Sequence, residues 1–191
     1  MIYLASQSPR RAELLSQIGV EYEVKVADID ESMLPGESAQ DYVCRIACSK
    51  AREVAAQLDR TQKSVPVLAA DTTIELDGDI IGKPQDSEHC QCILRQLSGR
   101  DHQVLSAVAL LHGERLDYRL SRNRVRFKSL SKAEIDAYCA SPEPMDKAGA
   151  YAIQGRAAVF VEHLQGSYSA VMGLPLFETA TLLRDAGIEI F

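Results

Sequence analysis

With 191 residues, 46% hydrophobic and 25% charged, the chain can bury a core, which excludes a disordered or fibrous protein. A formal net charge of −6 argues against broad binding to nucleic acid or anionic membranes, because both need a basic face, so any anion site has to be local. No apolar run reaches membrane-spanning length and no secretory leader opens the chain, so the expected location is the cytoplasm. The five cysteines form no C-x-x-C set, and their odd count is expected of reduced thiols, not of a disulfide framework.

The first eleven residues, MIYLASQSPRR, read as strand, loop and helix start. Ile2 to Ala5 suit a buried strand, Ser8 an N-cap, and Pro9 the first helical position, where its missing N–H costs nothing. Arg10 and Arg11 then fall in the first turn, where cations oppose the helix dipole unless an anion is present. Together with the hydroxyls of Ser6 and Ser8 and the free N–H groups of the turn, they make an oligophosphate cradle; the same window also reads as a capped surface helix. Gly19 stops that helix. Tyr22, Val24 and Val26 alternate with polar residues, which predicts a half-buried strand running into Asp28, Asp30 and Glu31. Carboxylates there suit metal binding or water activation, or else a solvated acidic loop.

Ser38 caps a predicted helix from about Ala39 to Leu58, on which Lys50 follows Ile46 and Ala47 on the apolar face. Its stem can lie along that face while the ammonium reaches either solvent or a cleft. The apolar run Val65 to Ala70 predicts a strand buried on both faces and ended by Asp71-Thr72. An ionised Asp at that point needs a cation or a substrate. A hairpin with an Asp77-Gly78 turn leads to Gly82-Lys83-Pro84, a stiff turn that points Lys83 toward the cleft of Asp71.

A helix from Ser87 and two long strands, Val104 to Leu111 and Leu116 to Phe127, come next. The arginines of the second, at 119, 122, 124 and 126, are expected on a solvated face, since no aromatic platform accompanies them. Ser131-x-x-Glu134 is a capping box. The stretch Asp146 to Gly155 is rich in small residues, which lets backbone approach a ligand, and the Gln154 amide can offer a donor and an acceptor to a base edge. A strand is predicted over Ala157 to His163, and a last helix over Leu176 to Asp185. The four histidines show no ligand spacing.

Ser6-x-Ser8-Pro9-Arg10-Arg11, Glu31, Lys50, Asp71-Thr72, Gly82-Lys83-Pro84, the run Asp146 to Gly155 and Gly173-Leu174-Pro175, in that order over nearly the whole chain, resemble the Maf family. The resemblance implies an α/β fold, a mixed twisted sheet flanked by helices and related to the inosine-triphosphate pyrophosphatases. It implies one domain over residues 1–191, with two lobes and a central cleft. Maf proteins were first named as septum-formation inhibitors and are regarded as nucleoside triphosphate pyrophosphatases, cleaving between the α and β phosphates with a divalent metal, Mg²⁺ or Mn²⁺. Carried over by motif, Asp71 becomes the proton acceptor; the chemistry of triphosphate hydrolysis adds Glu31 as its companion metal ligand or helper, and Arg10, Arg11, Lys50 and Lys83 as catalytic cations offsetting the phosphate charge. Arg10, Thr72 and Gln154 become the base selectors, in the form that resembles the branch acting on dTTP and UTP, with modified pyrimidine nucleotides as further candidates. A homodimer is expected from the family alone. A nucleotide-binding regulator of cell division without turnover, and a nucleotidyltransferase with an acceptor other than water, would use the same cradle.

Overall fold

The computed structural model describes residues 1–59, 61–62 and 64–190. In chain order it contains β1 (Ile2–Leu4), α1 (Pro9–Gln17), β2 (Tyr22–Val24), α2 (Ala39–Gln57), β3 (Val67–Leu76), β4 (Asp79–Ile81), α3 (Ser87–Leu97), β5 (Asp101–His112) and β6 (Arg115–Phe127). There follow α4 (Lys132–Cys139), 3-10 turns at Ala148–Ala150 and Arg156–Phe160, β7 (Val161–Gln165), α5 (Tyr168–Met172) and α6 (Leu176–Asp185). The strands form one mixed seven-stranded sheet in the order β2-β1-β3-β5-β6-β7, with β4 paired to β3. Pairing is parallel from β2 through β1 to β3 and antiparallel from β3 onward.

Helices bury their apolar faces on this sheet. On one face α2 sets Val43, Ala47 and Val54 against Tyr3, Val67, Ala69 and Ala107. On the other, α1 and α6 pack Leu15, Leu182 and Leu183 on Ile2, Leu4, Leu68 and Val108. A third cluster lies toward the β4 end, where α3, α4 and the 3-10 turns enclose Ile74, Val104, Val125 and Phe127. No helix among the described residues is long and apolar enough to cross a membrane.

Helix ends follow the sequence closely. Ser38 accepts from Asp41 N at 3.1 Å, and Ser131 and Glu134 form the capping box in both directions. Ser8 occupies the N-cap position of α1 but its side chain makes no capping bond. Asp77 and Gly78 take positive φ in the two-residue turn joining β3 to β4.

Four expectations are corrected. β3 does not end at Asp71: its ladder with β5 runs from Val67↔Leu111 to Glu75↔Gln103, carrying the acid through the middle of a strand. β2 stops at Val24 and is an edge strand with Val24 and Val26 both exposed, because it pairs with β1 alone among the described strands. Residues 156–160 form a 3-10 turn that buries Ala157 and Phe160, and β7 starts only at Val161. Cys90 and Cys139 are joined in a disulfide between α3 and α4, whose packing brings their Cα atoms to 6.0 Å, inside the bridging range; Cys44, Cys48 and Cys92 are free.

Candidate active site

The sheet opens where β1 stops. β1 pairs with β3 only at Tyr3↔Val67 and Leu4↔Leu68, and β4 takes up the same edge of β3 from Ile74, so Ala69 to Thr73 have no ladder partner there. Asp71 and Thr72 sit in that gap, in mid-β3 and just beyond the carboxyl end of the parallel strand β1, where ligands collect in open α/β sheets. Beyond Leu4 the chain turns through Ser6 and Ser8 into α1, so the arginine-bearing loop faces the same opening.

Two adjoining cavities of about 350 and about 340 Å³ make up the groove. They share Arg10, Arg11, Glu31, Lys50, Lys83 and Asp146, a charged row along their junction. One compartment continues to the Ala5–Ser8 loop, while the other is walled by Ile74, Val104, Tyr151 and Ile153 and reaches Thr72 and Gln154. A charged middle with an apolar slot on one side suits a ligand that joins a phosphate chain to a planar ring.

At the centre the Lys50 ammonium lies 2.8 Å from Asp71 Oδ1 and 2.8 Å from Glu31 Oε1. The Lys50 side chain is only 12% exposed, so its reach from α2 is into the cleft, not to solvent. Burial pushes the Asp71 carboxyl up, opposed by Lys50 and Arg11 and assisted by Glu31, and the net direction is upward. Glu31 moves the other way: burial raises it, but the Lys50 hydrogen bond and the charges of Lys50, Lys83 and Arg11 hold it below its ordinary value. Two neighbouring carboxylates are thus driven apart in proton affinity. Asp71 Oδ2 makes no hydrogen bond among the described residues.

The cradle is built by loops that hold one another. Arg11 Nε donates to the Gly173 carbonyl at 2.8 Å and one terminal nitrogen to Ser6 Oγ at 3.2 Å. Gly173 has φ 120°, which favours glycine. Arg10 lines both compartments, with its Nε buried and without a hydrogen-bond partner among the described residues. Thr72 Oγ1 is 2.9 Å from Ser106 Oγ, which donates to the Ala170 carbonyl at 2.6 Å. Gly149 has φ 69°, and a Cβ there would stand 2.2 Å from Ile74 Cδ1, so glycine is required at this point by the packing of Ile74.

All ten site residues singled out from sequence line the groove: Ser6 only in the loop compartment, Asp71, Thr72 and Gln154 only in the apolar one, and Ser8, Arg10, Arg11, Glu31, Lys50 and Lys83 in both; Lys83 is exposed at the junction and makes no ion pair among the described residues. The partner of Asp71 is therefore Lys50, not the Lys83 of the stiff turn. Sequence reading passed over Tyr42, whose hydroxyl donates to the Glu31 carbonyl at 3.0 Å and so ties the acidic loop to α2. It also passed over Glu143, which gave no motif signal and which holds the Arg156 and Ala157 amides from 13 and 14 residues away.

Glu31 and Asp71, whose carboxylates converge on the Lys50 ammonium, are oxygen donors of the kind a hard divalent cation takes. Fold and site together define an α/β protein with a cationic groove open over a lysine-bridged pair of carboxylates. A family model described as Maf-like protein matches residues 1–186, and the chain belongs to that family.

Proteins named dTTP/UTP pyrophosphatase are similar over essentially their full length. The one from Aromatoleum aromaticum is 54% identical over 99% of this chain and 97% of that protein. Those from Nitrosomonas europaea and Chromobacterium violaceum are 51% and 52% identical, over 100% and 99% of this chain and 96% of each relative. Among solved structures, the Staphylococcus aureus Ham1 protein aligns with a TM-score of 0.47 at 17% identity, over 66% of this chain and 71% of that one.

Proposed function

We propose that this protein hydrolyses dTTP and UTP to the nucleoside monophosphate and pyrophosphate, with water as the acceptor. The relatives that carry that name cover nearly the whole chain at about half identity, and the site residues quoted from sequence meet in one groove. The observation that carries the reading is Asp71, with one oxygen held by Lys50 at 2.8 Å and the other without a partner among the described residues.

In this reading the phosphate chain lies along the charged row, where Arg10, Arg11, Lys50 and Lys83 offset its charge. A divalent cation, Mg²⁺ or Mn²⁺, held by Glu31 and Asp71, would supply further charge neutralisation on the phosphates. Asp71 Oδ2 takes the proton of the attacking water, and its raised proton affinity makes it a stronger base than an exposed carboxylate. Water displaces pyrophosphate from the α-phosphorus, which leaves with the bridging oxygen. Thr72 and Gln154 face the base from the apolar compartment, and Arg10 holds the ligand from the junction. The chain works as one domain, since β3 and β5 contribute to the core on both sides of the groove.

Pyrophosphate release from dTTP, UTP, CTP, ATP and GTP with Mg²⁺ or Mn²⁺ tests the reading. Release is expected from dTTP and UTP, and the rate should fall about 100-fold or more in Asp71→Asn. Absence of release from every triphosphate would favour a nucleotide-binding regulator of division instead.

A further inference from the structure

This inference rests on the base-reading role of Gln154 put forward above. The Gln154 amide is exposed on the groove wall and makes no hydrogen bond among the described residues, so its aim is set by its backbone. That backbone is held from outside the groove. Glu143 Oε2 accepts from Arg156 N at 3.1 Å, and its Oε1 accepts from Ala157 N at 3.4 Å and from the Tyr138 hydroxyl at 2.8 Å. The Tyr138 oxygen in turn accepts from Ala152 N at 3.2 Å. One carboxylate, directly and through one phenol, thus fastens the chain on both sides of Gln154.

The glycine that follows Gln154 belongs to the same device. A Cβ on Gly155 would lie 2.4 Å from Glu143 Oε1, so the carboxylate rests directly on the glycine's Cα. Gly155 has φ −104°, open to any residue, and the requirement there is space, not backbone freedom. The Glu143 carbonyl accepts from Lys147 Nζ at 2.8 Å, which joins this fastening to the Asp146–Lys147 wall of the groove. Burial works against the Glu143 charge, but the Arg156 and Ala157 amides, Tyr138 and Lys147 together hold it below the ordinary glutamate value, so it stays ionised at neutral pH.

We propose that Glu143 is a positioning residue for base selection: it fixes the Ala152–Ala157 segment so that the Gln154 amide meets the pyrimidine edge. It takes no part in the hydrolytic step, whose groups sit around Lys50. Removing its acceptors leaves backbone donors unpaired beside Gln154, and the loss is expected in nucleotide affinity and base discrimination.

The experiment measures kcat and KM for dTTP and dGTP, and calorimetric binding of dTMP and dGMP, in the wild type, Glu143→Ala, Glu143→Gln, Gly155→Ala, Gln154→Ala and the pairwise combinations. In Glu143→Ala the preference for dTTP over dGTP should fall roughly tenfold through KM, and Glu143→Gln, which keeps the volume and one acceptor, should recover part of it. Gly155→Ala should lose preference as Glu143→Ala does, and should cause no additional loss once Glu143 is Ala. In the Gln154→Ala background the Glu143 substitution should leave the preference unchanged, whereas a merely structural residue would lower thermal stability by the same amount in both backgrounds and leave preference alone. If Glu143→Ala does not fold, Glu143→Gln and Gly155→Ala carry the same comparison. Unchanged base preference in these variants, or an equal loss with and without Gln154, overturns the proposal. If the wild type hydrolyses nothing yet binds dTMP with a preference that depends on Glu143 only while Gln154 is present, the hydrolytic reading falls and the positioning role stands. If the wild type neither cleaves nor binds, both fall.

Discussion

Lys50 stands between two carboxylates that would otherwise repel one another, and this decides how the site titrates. Asp71 lies above its ordinary value of 3.8, so the acidic limb of kcat/KM against pH should fall above that pH, with activity lost as the base becomes protonated. Lys50→Met removes the cation that opposes the rise, and the limb should move to higher pH while the maximal rate drops; a limb that stays in place would argue against Asp71 as the base. Asp71 was legible from sequence because an acid ending an apolar run has to be compensated. Its partner was not: Lys50 lies 21 residues earlier on a helix face where snorkelling fits equally well. Glu143 was illegible for a related reason, since the Arg156 and Ala157 amides it holds belong to a segment that returns to it through the fold.

Among the elements, β5 carries a buried histidine that the groove depends on. His102 Nε2 lies 2.8 Å from the Tyr151 hydroxyl, and both rings pack edge-on against Phe127 behind the apolar compartment. Burial pushes His102 from 6.5 down to about 4, against a small opposing influence from Asp101. The folded protein holds the ring neutral while the unfolded chain protonates it below 6.5. Stability present above pH 6.5 is therefore lost progressively as pH falls toward 4. Urea unfolding at pH 7 and pH 5 should differ by about 2 kcal/mol from this group, and the difference should shrink by that amount in His102→Gln. Helix caps were readable because their signals are local, as Ser131 and Glu134 illustrate. The continuation of β3 through Asp71 was not, because the strand is sustained there by β5, more than thirty residues on. The Cys90–Cys139 link likewise depends on α3 meeting α4, which residue counting does not reveal.

At the scale of the whole molecule, three apolar clusters surround one groove and are joined mainly by β3 and β5. The groove is lined by Tyr151 and Ile153 of one cluster, Ala5 of the second and Met172 packed against the third, so a bound ligand should stabilise the fold as a unit. At a hundredfold excess over its Kd, dTMP should raise Tm by roughly 5–10 °C in a single cooperative transition. Two separated transitions, with only one of them moving, would show that the parts fold independently. The α/β class and the mixed sheet came with the family resemblance and are found here, whereas which strands pair parallel and which antiparallel is set by contacts between distant strands.

The unpaired stretch of β3 between Leu68 and Ile74 has a further effect. Exposed strand edges invite other chains to add themselves, and soluble proteins blunt them. Here the bare backbone is short, bounded by β1 on one side and β4 on the other, and overlooked by charged side chains. A small anionic molecule can enter such a notch, but an extended polypeptide cannot lie along it. The protein thereby keeps an open edge toward its ligand without offering a template for aggregation.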